Sequence, residues 1–161
     1  MKNILLLFGL LFSFFMLNAQ ERSLVWADEF NGTELNEKDW SFQLGDGCPA
    51  LCGWGNKERQ IYTKRNHRLE NGMLFIQARK ENDRYTSMRI SSKGKKEFQY
   101  GRFEIRAKLA VGEGVWPAFW LLGSNIDEVG WPLSGEIDVL EYVGRAPQEI
   151  FTTLHTQDKN G

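Results

Sequence analysis

A two-residue rhythm constrains this chain more than any other feature. Phe103, Ile105, Ala107 and Leu109 alternate with Arg102, Glu104, Arg106 and Lys108. Side chains on a strand point to opposite faces in turn, so the run predicts a half-buried antiparallel strand with its apolar side inward. Asn71-Gly72, between Arg68-Leu69-Glu70 and the run from Met73 to Arg79, predicts a hairpin closed by a two-residue turn. Further strands are expected at Leu24 to Ala27, Trp40 to Leu44, Tyr85 to Ser91, Trp116 to Leu122, Gly135 to Tyr142 and Ile150 to Thr156. Turn residues separate them, and no stretch carries the period of an amphipathic helix. Many short strands of this kind point to an all-β fold, an antiparallel β-sandwich or jelly roll.

Residues 1–19 stand apart from that pattern. Lys2 precedes an apolar run from Ile4 to Leu17, and Leu17-Asn18-Ala19 offers a small residue before Gln20. The run is short for a bilayer span and no stop-transfer pattern follows, so it reads as a cleaved export signal. The expected product is residues 20–161: one catalytic domain, monomeric, secreted to the periplasm or beyond, and free of the membrane once the signal is removed. The 161 residues are few for two large sheets with a cleft. The polar turn Gln157 to Gly161 follows directly on a strand, so the domain is expected to continue past it.

Charge excludes some partners. A formal net charge of −1 gives no electrostatic case for nucleic acid or an anionic membrane surface. Aromatic side chains make up 13% of the chain, and all six tryptophans follow the leader. That excess of flat apolar rings needs an explanation. Export permits Cys48 and Cys52 to pair; a free pair or a weak metal site is equally open from the sequence.

The chemistry concentrates in Glu136-Ile137-Asp138-Val139-Leu140-Glu141. On a regular strand Glu136 and Asp138 share a face while Glu141 points to the other, where an unpaired carboxylate is costly. One extra residue, a β-bulge at Val139 or Leu140, returns Glu141 to the face of the other two. Retaining glycoside hydrolysis needs such an arrangement: a carboxylate nucleophile and a carboxylic acid about 5–5.5 Å apart. Crowding three acids also raises the pKa of at least one of them. Trp54, Trp116, Trp120 and Trp131 supply rings on which the C–H face of a sugar could stack.

These residues carry a family likeness. Gly135 to Glu141 resembles the catalytic signature of glycoside hydrolase family 16, in the bulged form of its laminarinase-type members. Further agreement, in order, comes from Trp26-Ala27-Asp28-Glu29-Phe30, Gly53-Trp54-Gly55-Asn56-Lys57-Glu58 and Tyr85-Thr86-Ser87-Met88-Arg89. Tyr100-Gly101-Arg102-Phe103-Glu104, Trp116-Pro117-Ala118-Phe119-Trp120 and Thr153-Leu154-His155 complete the match.

The resemblance implies a jelly roll with a substrate cleft on its concave sheet and endo-hydrolysis of β-1,3-glucan. It makes Glu136 the nucleophile, Glu141 the acid/base and Asp138 the assisting acid. Asn56, Arg89, Trp116, Trp120 and Trp131 fall at sugar-binding positions, with His155 on the neighbouring strand near the acid/base. No cofactor or metal is required for catalysis. A structural calcium is implied away from the cleft, held by carbonyls near Glu29 and Gly72 and by an aspartate lying beyond Gly161. Two other readings fit the same fold. Glucan-recognition modules lack the catalytic acids, whereas Glu136 and Glu141 are present here. A transglycosylase would use the same acids and differ only in its acceptor.

Overall fold

In the computed structural model the described residues are 22–158, so the expected leader lies outside them. The chain is mostly β, and its ten short strands among these residues fall into four separate sheets. β1 (Ser41–Gln43) pairs antiparallel with β7 (Arg89–Ser91). β2 (Gln60–Tyr62) runs parallel to β6 (Arg84–Ser87), which pairs antiparallel with β5 (Arg79–Glu81). β3 (His67–Glu70) and β4 (Met73–Ile76) form a hairpin. β8 (Ala118–Leu122), β9 (Glu136–Glu141) and β10 (Phe151–His155) form an antiparallel sheet in the order β10-β9-β8. A single helical turn, α1 (Ile126–Val129), lies between β8 and β9. No helix among the described residues is long and apolar enough to cross a membrane.

The β3–β4 hairpin forms where expected, with Asn71 at φ 52° and Gly72 at φ 68°. Positive φ at both central residues gives the turn a twist that matches the strands it joins. Asn82 and Asp83 repeat the device between β5 and β6, at φ 47° and 65°. The expected strand from Tyr85 to Ser91 is divided: β6 and β7 belong to different sheets, and Met88 is buried at the break.

Two expected strands do not form. Residues 24–27 and 102–109 are in no ladder. Leu24 and Val25 are 82% and 80% exposed, and Ile105 is 48% exposed. Alternation specifies which face is apolar, but a strand also needs a neighbour for its backbone N–H and C=O groups. Among the described residues these two segments have none. Each is tethered by aromatic rings instead. Trp26 packs edge-on against Trp40 at 5.5 Å and near Phe98 at 6.1 Å, and Phe98 meets Phe103 at 5.5 Å.

Asn66 fastens three elements together and is fully buried. Its amide donates to the Gln77 carbonyl at 2.9 Å and to Thr86 Oγ1 at 3.0 Å, and its oxygen accepts from Thr63. A buried amide is tolerable only with its partners in place, so this network fixes the β3–β4 hairpin against β6.

Candidate active site

β9 is the middle strand of its sheet, so both neighbours help to set its faces. Trp120 is opposite Asp138 and Phe119 opposite Leu140, which leaves Val139 without a partner in β8. On the other side Thr153 is opposite Asp138 and Phe151 opposite Glu141, with a register shift between them. This is the bulge that the sequence calls for. It gives the sheet two unlike faces. Leu121, Ile137 and Leu154 form an apolar row on one; Leu122, Glu136 and His155 form a row on the other.

Side-chain contacts confirm that the three acids share that second face. Asp138, 4% exposed, accepts at Oδ2 from His155 Nε2 at 3.0 Å. Glu141 Oε1 accepts from the indole N–H of Trp116 at 3.0 Å, and Oε2 from Thr153 Oγ1 at 3.4 Å. Thr153 and His155 are two apart on β10, so they reach the same side. Trp131 packs on His155 with ring centroids 5.8 Å apart. The acids therefore form a row bounded by two half-exposed indoles, Trp131 and Trp116.

Electrostatics single out Glu136. Burial, first, and then the charge of Asp138 push its carboxyl above the usual 4.5. Both disfavour the ionised form. His155 and the hydrogen bond of Trp131 oppose that shift without cancelling it. Glu136, Asp138 and His155 each bring one potential ligand atom within 4.8 Å of the others, a spacing that a divalent cation could span. The His155–Asp138 hydrogen bond already accounts for the approach of those two.

A second group adjoins the row through Trp120. The Arg89 guanidinium sits 5.0 Å from the Trp120 ring centre and 4.6 Å from that of Trp54. Such contacts favour a cation over an aromatic face. Trp54 follows directly on the loop closed by the Cys48–Cys52 disulfide, a pairing the sequence leaves open, and its indole reaches the Gly45 carbonyl. Beside it Tyr62 donates to Glu58 at 2.7 Å, and burial with that carboxylate pushes the phenol up to about 12. Asn56 is exposed at the end of the turn that carries Trp54, and no hydrogen bond among the described residues ties its side chain to the acids.

Two placements differ from expectation. His155 stands at the Glu136 end of the row, because antiparallel pairing sets it opposite Glu136 and sets Phe151 opposite Glu141. The residue that touches Glu141 from β10 is Thr153, which the sequence places in the family match without a role. A lone threonine carries no signal; only the register reveals it. A concavity of about 430 Å³ lined by Arg65, Glu81 and Arg84 contains none of the acids and none of the indoles.

A row of three carboxylates on one sheet face, bounded by indoles, is the kind of arrangement that two-carboxylate glycoside hydrolysis requires. The comparisons agree with that class. Residues 55–161 match the family described as Glycosyl hydrolases family 16, and the chain belongs to it. It is 43% identical to a glucan endo-1,3-beta-glucosidase of Cryptopygus antarcticus over 82% of this chain and 50% of that protein. It is 64% identical to the crystal structure of a laminarinase from Flavobacterium sp. UMI-01, with a TM-score of 0.84, over 86% of this chain and 60% of that one. A third relative is SCLam, a non-specific endo-β-1,3(4)-glucanase co-crystallised as a mutant with 1,3-β-D-cellotriosyl-glucose. Identity there is 38% and the TM-score 0.79, over 88% of this chain and 58% of that one. The chain thus spans about half the length of the curated relative and three fifths of the solved structures.

Proposed function

We propose that this protein is a secreted, retaining endo-hydrolase of β-1,3-glucan whose domain is a jelly roll with its cleft over the β10-β9-β8 sheet. The observation that carries the reading is the bulge at Val139, which brings Glu136, Asp138 and Glu141 onto one face. The relatives' names and the family give the substrate class.

In the first step the Glu136 carboxylate attacks the anomeric carbon as Glu141 gives its proton to the departing glycosidic oxygen. The C–O bond breaks, and a covalent glycosyl-enzyme forms with inversion. In the second step Glu141, now a carboxylate, takes a proton from water as the water oxygen attacks the same carbon and releases Glu136. Two inversions give net retention. Asp138 faces Glu136, and its Oδ2 is held by His155. It thus shares the proton that Glu136 must lose before attack. Trp131, Trp120 and Trp116 offer rings along the row, and the Arg89 guanidinium packs on that of Trp120.

The structural calcium that the family likeness implies is proposed to lie beside Gly72, outside the acid row. A Cβ on Gly72 would come within 3.0 Å of Asn31 Oδ1 and 3.5 Å of the Glu29 carbonyl oxygen. Hard oxygen donors thus gather where only glycine leaves room, the donor type calcium prefers.

Reducing-end release from laminarin, mixed-linkage β-glucan and agarose by the full-length protein tests the substrate. Laminarin is expected to be cleaved fastest and agarose scarcely at all. Preference for agarose would sink the substrate assignment.

A further inference from the structure

The two oxygens of Glu141 have unlike partners. Oε1 accepts from the indole N–H of Trp116, and Oε2 faces the Thr153 hydroxyl. An indole nitrogen only donates, whereas a hydroxyl donates or accepts. Oε1 must therefore remain an acceptor whether Glu141 is ionised or protonated. The acid's proton has one place left, on Oε2, where Thr153 can turn its hydroxyl round. Resting on the reading of Glu141 as the acid/base, we propose that Trp116 is a positioning residue for it: the indole N–H holds the carboxyl in one orientation and reserves Oε2 as the oxygen that gives and takes the proton.

The backbone is built to hold this contact. Trp116 lies just before β8, and the ladder between β8 and β9 is carried past it. Tyr142 N–H donates to the Pro117 carbonyl at 3.1 Å and Gly144 N–H to the Val115 carbonyl at 2.9 Å. Those bonds lie on either side of Trp116 and fix its height against Glu141. Gly144 has no room for a side chain, since a Cβ there would fall 1.7 Å from the Gly112 carbonyl oxygen. Trp116 itself stays 50% exposed, so its ring remains open to a sugar while its edge holds the carboxyl. One side chain thus serves two ends, and chemistry can separate them. Phenylalanine keeps a ring and loses the N–H.

The test is Trp116→Phe in the full-length protein, measured on laminarin and on a dinitrophenyl β-laminaribioside, whose leaving group needs no proton. The expected result is a kcat on laminarin lower by about 10-fold with KM changed by less than about twofold, the loss that follows from removing a hydrogen bond to a charged group. Release of dinitrophenolate in the first turnover should fall by much less than kcat on laminarin, since that step needs no proton. A raised KM with unchanged kcat, or equal losses on both substrates, would overturn the proposal and leave Trp116 a sugar platform.

A cycle with Glu141→Ala guards against a merely damaged fold. In that background azide restores turnover of the aryl substrate, and adding Trp116→Phe should change the restored rate by less than about twofold, because the carboxyl it positions is gone. A further large loss there would contradict the proposal. Undiminished laminarin hydrolysis by Glu141→Ala alone would remove the acid/base reading and this inference together, whereas an inactive Glu141→Ala beside a platform-like Trp116→Phe would overturn only the inference.

Discussion

The two ends of β9 hold their glutamates by different means. Glu136 lies among charges, with Asp138 on its own strand and His155 across on β10. Glu141 is held by two neutral groups, an indole N–H and a hydroxyl. The difference matches the roles proposed for the two ends. A nucleophile needs control over when it is charged, and a neighbouring carboxylate with an imidazole supplies that. A proton donor needs a fixed direction, and donors that carry no charge supply it. The same five-residue interval on one strand thus produces two unlike carboxylates.

The strongest way to break this comparison is to remove each glutamate in turn. Glu136→Ala should lower laminarin and aryl-glycoside turnover alike, on the order of 10⁴-fold or more, since no covalent intermediate can form. Glu141→Ala should lose about 10²–10⁴-fold on laminarin, the usual worth of general acid catalysis, yet still release dinitrophenolate from the aryl substrate. Equal losses on both substrates for both variants would erase the distinction between the ends.

Smaller changes sharpen the Glu136 end. Glu136 must be ionised to attack, so kcat/KM on the aryl substrate should fall as pH drops through a value above the ordinary 4.5 of a glutamate. Asp138→Asn removes the charge that raises it, and the acidic limb should move to lower pH. Burial, the larger cause, remains, so the limb should not return fully. His155→Gln removes a group that lowers it, and the limb should move to higher pH. Shifts of the opposite sign in a pH–rate profile would show that neither neighbour sets the charge of Glu136.

The sequence carries much of this site because its logic is local. Three acids at that spacing cannot share a face without an extra residue, and the strand absorbs one at Val139. Asn71-Gly72 is equally self-contained, since two residues with positive φ define the turn. What the sequence conceals depends on partners distant in the chain. Arg102 to Leu109 alternates cleanly and still joins no ladder among the described residues, because periodicity names a face and not a neighbour. The contact of Thr153 with Glu141, and the place of His155 beside Glu136 instead of Glu141, come only from the antiparallel register with β9. Asn82-Asp83 closes a hairpin without a glycine, which removes the usual signal.

The account stands most directly on which glutamate bonds to the sugar, and the anomer of an azide product reads that out. Azide needs no general base. With Glu141→Ala and the aryl substrate it should resolve the glycosyl-enzyme on Glu136 and give the β-glycosyl azide, with retained configuration. With Glu136→Ala it should attack directly from the vacated face and give the α-azide. Proton NMR of the two products distinguishes them. A β-azide from Glu141→Ala beside an α-azide from Glu136→Ala is the predicted result, and the two anomers exchanged would contradict the assignment of the ends.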